Sequence, residues 1–392
     1  MKTRQPKAGT SYSATAKVAL QQGAARVQEM HRAIADTTFS VLTRLPVIGA
    51  PAEVVRKTHD RIKDAVYATL HHGGGGLLDL ADSAEKHYAA RSQNDSPPSR
   101  LANSLRSAVN GAFGDHLAEI GSRLAIDMAI YHQAQALPLQ REALAKTWPQ
   151  ARQRLCLFLH GLGCNESCWE TGSTGLDLPR QVENDCGCNA LSLRYNTGRP
   201  IDENGTELAD LLETLLSTWP QPVRELVLIG HSMGGLLARS AFAEGRRQAM
   251  SWPKQTRMII CIGSPHLGSP VERLGQLTTQ ALQFSSITEP LARVARKRSQ
   301  GIQDLRHGPG PYAEDTTGIA WRFIGGTLSE DPENAFGRLF GDGLVTPDSA
   351  TAHEQAGDVA SVRLGKVGHM SLLNDRRVHA QIITWLGSGK AQ

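Results

Sequence analysis

From Leu155 onward the apolar positions gather into short, nearly unbroken runs. These are LCLFLH (Leu155–His160), ALSLRY (Ala190–Tyr195), LVLIG (Leu226–Gly230), MIICIG (Met258–Gly263), WRFIGG (Trp321–Gly326) and VASVRL (Val359–Leu364). Runs of that length bounded by turn residues suit strands covered on both faces. Longer patterns of helical period separate several of them. Leu208, Leu211, Leu212, Leu215 and Trp219 share one helical face that ends at Pro220. Met233–Glu244 predicts a second helix, stopped by Gly245, and Leu372–Leu386 the last. Upstream, Leu124, Ile126, Met128 and Ile130 alternate with small or polar residues, which predicts a strand with one buried face. Strands alternating with helices predict an α/β fold, a mainly parallel sheet with helices on both faces. In such sheets reactive groups gather beyond the carboxyl ends of the strands.

The first hundred residues read differently. Val27, Met30, Ile34 and Val41, then Val55, Ile62, Val66 and Leu70, recur at helical spacing, with Pro46 and Pro51 between the two sets. HHGGGG (His71–Gly76) reads as a joint and RSQNDSPPSR (Arg91–Arg100) as a linker. The expected organisation is a helical N-terminal extension over residues 1–110 and an α/β domain over residues 111–392. An amphipathic helix usually faces a core, so packing on the main domain is preferred over a lid, a docking platform or a membrane-surface element. Residues 273–310 are too long for a simple connection between strands. Leu274, Leu277, Ala281 and Leu282 would give that segment an apolar helix face, equally suited to a lid over an acyl pocket and to a surface excursion.

Composition narrows the function classes. The 392 residues carry 42 Lys+Arg against 38 Asp+Glu, a formal net charge of +4 spread along the chain. That gives no footprint for nucleic acid and leaves room only for weak attraction to an anionic membrane through the N-terminal helices. No apolar run approaches the roughly 20 residues of a membrane span. The basic start has no continuous apolar core and makes a poor secretory signal, so a cytoplasmic protein, or one peripheral at a membrane, is expected. Cys156 and Cys261 sit in strand-like runs as small core residues. Cys164, Cys168, Cys186 and Cys188 lack the paired spacing of a zinc site, so neither metal nor cofactor is expected.

The chemistry enters at GHSMG (Gly230–Gly234), a G-x-S-x-G between a strand and a helix. A nucleophilic serine needs a tight turn that lifts its hydroxyl above the sheet. Gly230 and Gly234 remove side chains that would collide with the neighbouring strand or helix, and Gly235 allows closer packing still. The following helix offers its amide end to developing negative charge.

With that segment the chain resembles the α/β-hydrolase superfamily in its lipase and esterase branch. LCLFLHGLG (Leu155–Gly163) resembles the strand end that forms the oxyanion hole. IGSPHLGSP (Ile262–Pro270) resembles the segment after the next strand in many bacterial lipases and in the GPI inositol deacylases, and GDGLVTPDSA (Gly341–Ala350) resembles the aspartate loop. The resemblance spans Ala112–Leu386 as an architecture and implies an α/β-hydrolase fold. It also implies a chain order of serine, acid, histidine. Ser232 is then the nucleophile. His369, between the last strand run and the last helix, is the base, and Asp342, between two glycines, its carboxylate, ahead of Asp348 and Asp331. The backbone N–H groups of Leu162 and Met233 are the oxyanion donors. His160, His231 and His266 are read as structural.

The expected reaction is acyl transfer through acyl-Ser232, with a lipid or other apolar carboxylic ester as substrate and water as acceptor. Two alternatives carry the same fold: an acyltransferase using an alcohol acceptor, and a non-catalytic scaffold that binds a partner. The sequence is silent on oligomeric state.

Overall fold

The computed structural model describes residues 100–119, 121–122, 124–170, 177–269, 299–307, 318–351 and 357–387. Contacts divide the chain between Pro97 and Pro98, and the described residues belong to the second unit, Pro98–Gln392. The helical patterns expected before Ser99, and the apolar face expected over Leu274–Leu282, lie outside the described residues.

The unit opens with helix α1 (Arg100–Glu119), which spans position 110 and kinks at Phe113 (φ −140°, ψ 16°). A short hairpin follows, β1 (Ala129–His132) and β2 (Gln135–Ala136), then helix α2 (Arg141–Thr147). The main sheet adds β3 (Arg154–Leu159), β4 (Asn189–Arg194), β5 (Glu225–His231), β6 (Thr256–Ile262), β7 (Ala320–Gly326) and β8 (Val359–Leu364). Its eight strands lie in the order β2-β1-β4-β3-β5-β6-β7-β8. Strands β3 to β8 are parallel to one another, while β1 runs antiparallel to β4 and β2. The expected mainly parallel sheet is therefore present.

Each central strand is buried on both sides, which is why its sequence is apolar without alternation. Leu155, Leu157, Leu226, Leu228 and Ile259 face one core together with Leu208, Leu212 and Leu215 of α4 (Ile201–Thr218) and Leu236, Leu237 and Phe242 of α5 (Met233–Arg247). Cys156, Phe158, Val227, Ile229 and Ile260 face the other. There they meet Leu178 and Val182 of α3 (Leu178–Cys186) and Val378, Ile382 and Trp385 of α9 (Arg376–Gly387). Three shorter helices complete the fold: α6 (Gln300–His307), α7 (Ala335–Phe340) and α8 (Pro347–Thr351).

Local rules explain several boundaries. Asp177 caps α3 by accepting the Arg180 N–H at 2.9 Å, and Gly187, at φ +64°, ends it. Three expectations need correction. Helix α5 continues through Gly245 to Arg247, because that glycine admits the Trp252 ring rather than stopping the helix: a Cβ there would lie 2.7 Å from Cζ2. The final helical pattern is broken into a 3₁₀ turn, His369–Asn374, and α9. The strand expected from Leu124 begins only at Ala129. Arg106 and Asn110 of α1 take the Leu124 carbonyl at 3.0 and 2.8 Å, and Asn110 Oδ1 accepts the Ile126 N–H at 3.0 Å. Those backbone groups therefore pair with a helix and not with a ladder.

Candidate active site

The parallel strands bring the ends of β3, β5, β6, β7 and β8 to one edge of the sheet. Every candidate residue follows one of these ends: Leu162 after β3, Ser232 after β5, Asp342 after β7 and His369 after β8.

Ser232 sits between β5 and α5 with φ +54° and ψ −121°. A residue with a side chain rarely adopts that conformation, so the turn is held by its surroundings. The Ser232 N–H donates to the Ile262 carbonyl at 2.8 Å, which ties the turn to β6. The glycines make the turn possible by close approach. A Cβ on Gly230 would lie 2.4 Å from the Gly234 carbonyl carbon, and one on Gly234 would lie 2.2 Å from the Leu159 oxygen. The side chain of Ser232 is buried, and among the described residues its Oγ has no hydrogen-bond partner.

Asp342 lies between Gly341 (φ +56°) and Gly343 (φ +95°) in a turn that its own carboxylate closes. Oδ1 accepts the N–H groups of Leu344 at 3.0 Å and Val345 at 2.8 Å. Oδ2 accepts the Nδ1–H of His369 at 2.8 Å, with both side chains fully enclosed. The backbone closes the same pair, since the His369 N–H donates to the Asp342 carbonyl at 3.0 Å. With its proton on Nδ1, the imidazole keeps a lone pair on Nε2. That atom is buried and, among the described residues, has no partner. Asp348 instead pairs with Arg363 at 2.8 Å on the exposed side, and Asp331 Oδ1 accepts the Glu333 N–H in an exposed turn. Of the three candidate acids, Asp342 is the one hydrogen-bonded to His369.

Two residues join the serine and histidine sides. The His231 ring lies 4.8 Å from that of His369, and its Nε2–H donates to the His369 carbonyl at 3.1 Å. Gly263, at φ +58°, follows the carbonyl that receives Ser232. A Cβ there would stand 3.3 Å from Asp342 Oδ2 and 3.4 Å from His369 Cε1. On the other side of the serine, a Cβ on Gly161 would lie 3.1 Å from Ser232 Cβ. Leu162 is thus one residue from a contact with the Ser232 turn. As the first residue of α5, Met233 has no intrahelical acceptor for its N–H.

The remaining histidines near the edge are neutral structural groups. His160 donates through Nδ1 to the Gly161 carbonyl at 2.9 Å, accepts the Tyr195 N–H on Nε2 and stacks on the Tyr195 ring. Burial lowers its pKa to about 4. Burial, reinforced by His369, lowers that of His231 to about 3. His266 accepts the Arg239 guanidinium on Nδ1 at 2.9 Å, and burial holds it well below the usual imidazole range. Sequence reasoning missed Tyr195, Gly263 and the His231 bond to His369. Tyr195 and Gly263 leave traces, as the residues that end the ALSLRY and MIICIG runs, while the His231 bond leaves none.

The model of the alpha/beta hydrolase family matches residues 156–381. A comparison with curated proteins gives no significant match. Among solved structures, the chain is similar to the carboxylesterase CesB (YbfK) from Bacillus subtilis, at 10% identity over 73% of this chain and 99% of the other, with a TM-score of 0.42. It is also similar to a carboxylesterase of Nitrososphaera gargenis, at 15% identity over 61% and 92%, TM-score 0.41. A third is RedJ, the thioesterase of prodiginine biosynthesis in Streptomyces coelicolor, at 15% identity over 61% and 91%, TM-score 0.40. With more than half of its length matched by the family model, the chain belongs to the alpha/beta hydrolase family.

Proposed function

We propose that the protein is a serine hydrolase of carboxylic esters with apolar acyl groups. Ser232 is the nucleophile, His369 the base and Asp342 its orienting carboxylate. The observation that carries this reading is the buried His369–Asp342 pair: it commits the imidazole proton to Nδ1 and leaves the Nε2 lone pair unused beside a strained serine turn. In the reaction His369 Nε2 takes the proton of Ser232 Oγ as Oγ bonds to the ester carbonyl carbon. The carbonyl oxygen becomes an oxyanion, received by the N–H groups of Leu162 and Met233. Collapse breaks the bond to the alcohol oxygen, which leaves with the proton from His369. Water then repeats the sequence on acyl-Ser232, releasing the acid and restoring the serine.

Support for an apolar acyl group comes from the loops beside the acid and the base. Leu328 is 51% exposed, and Cβ atoms on Gly343 and Gly368 would each meet its methyl groups at 3.5 Å. Leu267, 62% exposed, lies on the loop after β6. Labelling with a fluorophosphonate tests the nucleophile: wild type reacts at Ser232 and Ser232→Ala does not. With p-nitrophenyl esters, kcat/KM rises from acetate to octanoate. Labelling at another residue sinks the assignment, and a preference for acetate sinks the acyl class.

A further inference from the structure

The residue expected to donate from the oxyanion loop is flanked by glycines, Gly161 and Gly163, the latter at φ +69°. Such a backbone is intrinsically loose. An oxyanion donor acts only if it is held in place before charge develops, within a few tenths of an ångström of its working position. Something outside the loop must therefore hold it.

Helix α1 lies against this loop, backbone to backbone. A Cβ on Gly111 would stand 2.9 Å from Gly163 Cα and 3.0 Å from Gly163 N, so only glycine lets the helix come this near. The Gly163 N–H donates to Thr197 Oγ1 at 3.0 Å, and a Cβ on Gly111 would also reach that hydroxyl at 3.4 Å. Thr197 is itself fixed to α1 by its neighbours. Asn196 Nδ2 donates to the Gly114 carbonyl at 2.8 Å, and a Cβ on Gly198 would lie 2.1 Å from the Asn110 oxygen. From the other side α6 closes on the same turn, with the Gly301 N–H on the Gly198 carbonyl at 3.2 Å. Just past the loop, Asn165 Nδ2 donates to Ser107 Oγ of α1 at 3.2 Å. The kink in α1 falls at Phe113, between its two contact glycines. All of α1 lies ahead of residue 156, where the match to the family begins.

We propose that α1 is the brace of the oxyanion loop, with Gly111 and Thr197 as positioning residues that hold Gly163 and so aim the adjoining Leu162 N–H. The proposal rests on the serine-hydrolase reading above. Helix α1 then supports the catalytic site rather than being an appendage. It acts without touching substrate, by fixing one peptide plane.

The test uses the full chain, p-nitrophenyl butyrate and a trifluoromethyl ketone, whose hemiketal with a serine carries an oxyanion. Thr197→Val removes the acceptor of the Gly163 N–H at nearly constant volume, Thr197→Ser keeps it, and Gly111→Ala pushes on Gly163. Thr197→Val and Gly111→Ala lower kcat by roughly 10- to 100-fold, a share of what losing a donor costs, with KM within about twofold. Thr197→Ser stays within about threefold of wild type. The ketone loses affinity by the same factor as kcat/KM. Should Gly111→Ala fail to fold, the two Thr197 variants decide. Wild-type kcat in Thr197→Val, equal damage in Thr197→Ser, or an unchanged ketone affinity overturns the brace alone. A wild-type protein that neither turns over ester nor labels at Ser232 overturns the hydrolase reading and the brace with it.

Discussion

The Nε2–H of His231 donates to the main-chain carbonyl of His369 at 3.1 Å, so the residue before the proposed nucleophile holds the residue that carries the proposed base. His231 is neutral, its pKa lowered to about 3 by burial, and its single ring proton is committed to that bond. Its Nδ1 is buried and, among the described residues, has no partner. His231→Leu keeps bulk but leaves the His369 carbonyl without its donor. We expect kcat to fall roughly tenfold with KM little changed, the signature of a misplaced base. His231→Gln, which still carries an N–H donor, recovers most of the loss. Equal kcat in the two variants would show that the bond positions nothing.

Asp342 uses its two oxygens for two tasks. Oδ1 closes the turn through Leu344 and Val345, and Oδ2 sets the tautomer of His369. Asp342→Asn can preserve the first task while presenting an amide N–H to Nδ1, which favours the wrong tautomer. Loss of kcat on the order of 10³- to 10⁴-fold is expected with a melting temperature close to wild type. Asp342→Ala gives up the turn as well and loses a further 1–3 kcal/mol or so of stability, read from urea unfolding. If Asp342→Asn retains more than a tenth of wild-type kcat, Asp342 is not the orienting carboxylate.

These two residues mark what the sequence makes legible. Ser232 and Asp342 could be read because they follow strands whose double burial leaves apolar runs and because glycines flank both, whereas His369 follows the half-buried edge strand β8 and was placed by the chain order that the resemblance implies. The sheet could be read for the same reason, and α5 because it starts at the turn itself. What could not be read depends on contacts between distant segments. Gly111 and Gly114 look like weak points in a helix until Gly163 and Asn196 are placed against them. Leu124–Met128 alternates like a strand, but Arg106 and Asn110 claim its backbone first. The His231 bond joins residues 138 apart and follows from no local pattern.

Acid stability follows from the buried neutral imidazoles. In the unfolded chain His160, His231 and His266 titrate near 6.5; in the fold, burial lowers His160 to about 4, His231 to about 3, and His266 well below the usual range. Between these values the unfolded state binds protons that the fold refuses. The stabilisation is fully present above about pH 6.5 and is lost as pH falls through the folded values. Each group contributes a slope of about 1.4 kcal/mol per pH unit, so three give an upper bound of about 4 kcal/mol per unit. Urea midpoints at pH 7.5, 6.5 and 5.5 measure it. Because the unfolded imidazoles are half protonated at pH 6.5, stability should fall by at most about 1 kcal/mol between the first two and by about three times as much to the third. A midpoint unchanged at pH 5.5 would mean that these rings are not held neutral.

Glu166 and Arg194 form a bidentate ion pair just beyond the proposed oxyanion loop, with side chains 5% and 9% exposed. Arg194 comes from the end of β4 and also lies over the Tyr131 ring, 4.2 Å from its centroid. Breaking such a pair from one side leaves an uncompensated buried charge, while replacing both partners removes that penalty. Arg194→Met should therefore cost about 3–5 kcal/mol in urea unfolding. Adding Glu166→Gln to Arg194→Met should restore part of it, because the neutral amide needs no counter-charge. The order of the three proteins is the decisive result, with wild type most stable, the double variant next and Arg194→Met last. A double variant no more stable than Arg194→Met would show that packing against Tyr131, rather than the charge of Glu166, is what Arg194 contributes to this corner of the sheet.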